Sequence, residues 1–93
     1  MTVPMRLRSM WAADELLSID GVDGSFVLYE NNGEICISAR SMGAINVQII
    51  MEMLGGGGHH TMAAAQLKGT EMEKAKQLLL EAIDKYFRDH QKS

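Results

Sequence analysis

Residues 25–40 read SFVLYENNGEICISAR, and this stretch decides the fold. Ser25–Tyr29 is β-branched and aromatic, which suits a strand. Asn31-Asn32-Gly33 supplies residues that tolerate the left-handed backbone a tight turn needs. From Glu34 to Arg40 the side chains alternate. Ile35, Ile37 and Ala39 fall on one face, and Cys36, Ser38 and Arg40 on the other. The segment is therefore expected to be a β-hairpin with one apolar and one polar face.

Downstream, Ser41-Met42-Gly43 breaks the strand and Asn46 is placed to cap a helix running to Leu54. Val47, Ile50, Met51 and Leu54 recur at i, i+3, i+4 and i+7, a stripe for a core. Gly55 stops that helix and opens a run of four glycines. Ala63–Lys68 fits no single period and is expected as a short strand. Thr70 with Glu73 matches a capping box. Met72, Ala75, Leu79, Ala82, Ile83 and Tyr86 then give a last helix its apolar face, out to about His90. Upstream, Trp11–Asp20 is expected as a short helix ended by Asp20-Gly21. Residues 1–10, with three of the eight methionines and the only proline, are expected to be a leader, disordered or extraneous to the domain.

The expected order is α-β-β-α-β-α. It forms a small mixed sheet of about three to five strands with helices packed on it, an α+β (α/β) domain over residues 11–93. The crossover between strands two and three is expected to be right-handed if those strands are parallel.

The chain has 93 residues, room for one domain. It contains no apolar run of about 18 residues to span a bilayer and no signal-peptide pattern. A single cysteine excludes an internal disulfide, and a cytoplasmic setting fits. Net charge is −3. Between Ser9 and Leu67 the only lysine or arginine is Arg40, so the chain lacks the basic stripe of a duplex-DNA reader. Any phosphate must be held at a point.

Two features suit such a point. Gly55–Gly58 followed by His59 can turn backbone N–H groups inward as an anion nest, with the imidazole at its end; the same run also reads as a plain flexible turn. Arg40, with Ser38 on its face, ends a strand just before Ser41 and the Asn46-capped helix, which are the parts of a phosphate site. It reads equally as a solvated surface residue. His59-His60 lacks a nearby third ligand for a metal. Cys36 reads as an inert, buried or half-buried thiol. Residues 70–93 carry five acids and five bases, a face with no net sign. No nucleophile–base or acid–base pair stands out, so the chain reads as a binding module.

The run SFVLYENNGEICISARSMGAINVQIIMEMLGGGGHHTMAAAQL resembles the DHHA1 domain, the C-terminal substrate-binding half of DHH-family phosphoesterases. It looks most like that of the bacterial GdpP/YybT-type cyclic-di-AMP phosphodiesterases. ISARS at 37–41, INVQIIME at 45–52, GGGGH at 55–59 and the residues from Ala63 to Leu67 carry the likeness, which extends from about Ala12 to Tyr86.

The resemblance implies a nucleotide-holding domain that faces a separate DHH domain, where manganese would do the hydrolysis. No cofactor is expected in this chain, and the chain alone is expected to be inactive. Carried over residue by residue, the phosphate and base contacts fall on Gly56, Gly57, Gly58, His59 and Arg40, with Ser38, Ser41 and Asn46 beside them. The implied partners are a cyclic dinucleotide or its linear product and the DHH domain. Neither duplex DNA nor direct membrane contact is expected. Full-length relatives are membrane-anchored, with this domain in the cytoplasm.

The sequence departs from the family in three places. The Asp-His-His motif is absent, because Gly58 precedes His59-His60. His60 and Ala65 stand where relatives often differ. The leader is unlike what precedes this domain in the family, which suggests an excised piece or a new start. Two other functions stay open: a short-oligoribonucleotide binder from a DHH exonuclease, and a structural or homodimer-forming module.

Overall fold

The computed structural model describes residues 8–13, 16–21 and 23–90. Strands β1 (Arg8–Ala13), β2 (Leu16–Asp20), β3 (Gly24–Asn31) and β4 (Glu34–Ser41) form an antiparallel meander. Helix α1 (Val47–Met53), the two-residue strand β5 (Gly57–Gly58), strand β6 (Met62–Lys68) and helix α2 (Met72–His90) follow. The sheet order is β1-β2-β3-β4-β6-β5, and every pair is antiparallel.

The β3–β4 hairpin turns through Asn32 (φ 54°) and Gly33 (φ 79°) between the paired residues Asn31 and Glu34. Two central residues with positive φ make the tight turn whose twist matches the flanking strands. Leu17, Ile19, Phe26, Leu28, Ile35, Ile37 and Ala39 are fully or almost fully buried on one sheet face, joined by Ala63 and Ala65 of β6. Val47, Ile50 and Met51 of α1 and Ala75, Leu79, Ala82, Ile83, Tyr86 and Phe87 of α2 close the same core. Each large side chain buried there contributes about 1.5–3 kcal/mol. Both helices thus cover one face and leave the other open, a two-layer α+β domain as the sequence implied.

Four expectations are corrected. No helix occupies the described residues of the stretch 11–20: Trp11–Ala13 belongs to β1 and Leu16–Asp20 to β2. Leu17 and Ile19 bury with period two because β3 lies alongside, pairing Leu17 with Leu28 and Ile19 with Phe26. The order therefore opens β-β, not α. Among the described residues the sheet is antiparallel throughout rather than mixed, and no crossover joins parallel strands. Arg8, Ser9 and Met10 of the expected leader pair with β2, while residues 1–7 lie outside the described residues. Finally, the capping box does not form: the Thr70 hydroxyl donates to the Lys68 carbonyl at 3.1 Å.

Candidate functional site

Strand register places the sequence-singled residues in rows on the open face. Arg40 pairs with Ser25 on one side and Met62 on the other. His59 and Met62 exchange backbone hydrogen bonds at 2.7 and 3.3 Å, which extends the row to His59. Two residues along lies a second row: Val27, Ser38, Ala64 and Gly57. A third runs Tyr29, Cys36, Gln66. With strands about 4.8 Å apart, Arg40 and His59 stand about 10 Å apart at their backbones. Between the first and third rows, the second carries Ser38, Ala64 and Gly57 beside Val27.

Arg40, Ser38 and His59 are exposed. Among the described residues, neither the Arg40 guanidinium nor the His59 ring has a hydrogen-bond or ion-pair partner. An unpaired guanidinium on a sheet face is free to take an anion in its planar fork. Met62, 53% exposed, stands in the row between Arg40 and His59. Sequence reading passes over it, because only the register of three strands puts it there.

The glycine run is ordered, and its members differ in why they are glycine. The Gly56 N–H donates to the Met51 carbonyl (2.8 Å) and the Gly55 N–H to the Glu52 carbonyl (3.1 Å), with Gly55 at φ 86°. These are the paired bonds of a Schellman helix end. A Cβ on Gly56 would collide with the Ala64 carbonyl oxygen and come within 2.7 Å of the Ala65 Cα. Gly57 is different: its φ is not positive, and a Cβ there would meet nothing within 4 Å. The fold does not require glycine at 57, on the open face beside Ala64 and Ser38.

The remaining expected residues serve the loop and helix. Asn46 caps α1, its Oδ1 accepting from the Gln48 and Ile49 N–H groups at 3.0 and 3.4 Å. The Asn46 N–H donates to the Tyr86 hydroxyl and the Val47 N–H to the His60 carbonyl. All four donors that a helix start leaves over are thereby taken, so α1 offers a phosphate no free N–H. The sequence-based picture of that helix start as part of a phosphate site is corrected accordingly. Ser41 donates through Oγ to the Ile45 carbonyl at 2.7 Å and accepts from the Gly43 N–H at 2.9 Å. His60 Nε2 lies 3.2 Å from the Gly43 carbonyl oxygen. Ser41, Asn46 and His60 thus hold the β4–α1 loop against the β5–β6 turn, while Arg40, Ser38, Gly57 and His59 are brought together with free surfaces.

Cys36 is buried, 6% exposed. Among the described residues no three His, Cys, Asp or Glu side chains come together as a metal would need, and no helix is long and apolar enough to cross a membrane.

A family model described as the DHHA1 domain matches residues 8–89. Over 77 residues the chain is 53% identical to the cyclic-di-AMP phosphodiesterase GdpP of Bacillus subtilis strain 168, covering 82% of this chain and 12% of that protein. It is 51% identical over 78 residues to the cyclic-di-AMP phosphodiesterase PdeA of Listeria monocytogenes, with 83% and 12% covered. It is 40% identical over 65 residues to the bifunctional oligoribonuclease and PAP phosphatase NrnA of Thermus thermophilus, with 67% and 20% covered. The chain thus spans about 12% of the length of the first two relatives.

Proposed function

The chain belongs to the DHHA1 domain family of DHH phosphoesterases, and we propose that it holds a cyclic dinucleotide, cyclic-di-AMP or its linear product, for a separate metal-bearing DHH domain. One observation carries the reading: an unpaired Arg40 shares the open sheet face with Gly57, the glycine the fold does not demand, and with Ser38 and His59. Arg40 grips a phosphate in its fork. The backbone at Gly57 lets the ligand approach, and His59 donates or accepts at the far end of the row. Hydrolysis belongs to the DHH domain, where manganese would supply the activated water.

The second reading is a short oligoribonucleotide on the same face. The 40% identity to a protein named an oligoribonuclease favours it, and a phosphate grip of this kind serves both ligands.

The test is a titration of the chain with cyclic-di-AMP, linear pApA and a short RNA, followed by amide NMR shifts. A charge-assisted hydrogen bond contributes about 1.5–3 kcal/mol, and a millimolar Kd corresponds to about −4 kcal/mol. Binding at about 0.1 to several mM follows for the best ligand, with shifts at residues 56–59 and around Arg40. Shifts confined to α2 defeat the reading. The order of affinities among the three ligands decides between cyclic dinucleotide and RNA.

A further inference from the structure

We infer that Met62 is a specificity-determining residue of this face, the platform on which a nucleobase lies. The inference rests on the binding reading above and adds a part that reading does not contain. Tyr29, Met42 and Met62 are large hydrophobic side chains that stand exposed. Met62 alone of these stands in register between the two unpaired polar side chains, Arg40 on β4 and His59 across the turn. Its neighbours Ala63 and Ala65 are buried while Met62 and Ala64 are exposed, so its side chain rises on the open face.

A ligand that touches both Arg40 and His59 must cross the strand between them, and the side chain it crosses is Met62. Phosphate oxygens gain nothing from a thioether. A flat aromatic ring does, through dispersion and sulfur–aromatic contact, and an unbranched side chain adapts to its shape. The row therefore reads as polar, apolar, polar: guanidinium, thioether, imidazole. That pattern fits a ligand whose phosphate and base are separate parts, and it selects against a bare sugar phosphate. The small residues Ala64 and Gly57, one row along, leave the flank of the thioether uncovered.

The experiment uses methionine methyl NMR on the whole chain with two probes, pApA and ribose 5-phosphate. With pApA the Met62 methyl is expected to move upfield, as a methyl over an aromatic ring does, and to show cross-relaxation to adenine protons. Met72 on α2 serves as the reference methyl and should stay put. Ribose 5-phosphate should leave Met62 unmoved. Met62→Ala should loosen pApA by about five-fold, within the range of a lost sulfur–aromatic contact, with ribose 5-phosphate binding unchanged. Met62→Leu should retain most of the affinity.

Binding of pApA without a Met62 response, or equal loosening of both probes in Met62→Ala, overturns the inference alone. Failure of pApA to bind while cyclic-di-AMP binds also overturns the inference alone. Failure of cyclic-di-AMP, pApA and the short RNA alike, or an Arg40→Ala variant that binds as well as the parent, overturns the binding reading itself and this inference with it.

Discussion

The backbone N–H of Asn46 donates to the Tyr86 hydroxyl at 2.9 Å, across forty residues of chain. One phenol thereby ties the start of α1 to α2 while its ring lies edge-on to Phe87 at 5.4 Å. Tyr86→Phe keeps the ring and strands a partly buried donor, which costs about 1–3 kcal/mol. Urea unfolding should show a lower midpoint with an unchanged slope. An unchanged midpoint means that water replaces the hydroxyl without loss.

Gly56 and Gly57 are adjacent, yet alanine should act on them in opposite ways. Gly56→Ala drives a Cβ into the backbone of β6, and a core-scale clash of about 2 kcal/mol or more is expected. Gly57→Ala meets open space. It should leave stability unchanged or raise it by about 0.4–1 kcal/mol through the unfolded chain, while weakening nucleotide binding. Thermal melts and a pApA titration of the two variants check both halves. A Gly57→Ala variant that binds normally would move the ligand off that strand.

Arg40 carries no partner among the described residues, so Arg40→Ala should change stability by less than about 0.5 kcal/mol. In a protein that also contains its DHH domain, the same change should cut turnover sharply. Arg40→Lys should recover only part, since it keeps the charge and loses the fork. Steady-state kinetics beside a melting curve separates the outcomes. An unfolded variant would make the arginine structural, and a fully active one would make it a surface residue.

Catalysis is predicted to need the other domain. With manganese added, this chain alone should release no product from cyclic-di-AMP, since no carboxylate–histidine cluster forms among the described residues. Product above a metal-only blank, retained on repurification, sinks that expectation.

What could be read from the sequence was what is local. Alternation and an Asn-Gly turn define β3 and β4 without help from the rest of the chain, and Asn46 caps the helix it was expected to cap. The burial face of α2 follows from its period, though its start does not, because Thr70 finds the Lys68 carbonyl before the helix begins. Leu16–Asp20 was illegible for a different reason. Five residues with adjacent leucines satisfy a helical face as well as a strand, and only the free edge of β3 chooses between them. At the site, Arg40 and Ser38 share a face by alternation alone. That the helix start is already filled, and that Met62 separates Arg40 from His59, depends on β6 and the turn before it. No local pattern encodes that pairing.

The tetraglycine is tied at both ends, by the Schellman bonds to Met51 and Glu52 and by the β5–β6 turn whose His60 carbonyl holds the Val47 N–H. A free run of four glycines would be the most disordered stretch such a chain can carry. Here its freedom is surrendered when the domain folds, before any ligand arrives. The loop is therefore preorganised, and a ligand that met it would not bear the entropy of ordering it.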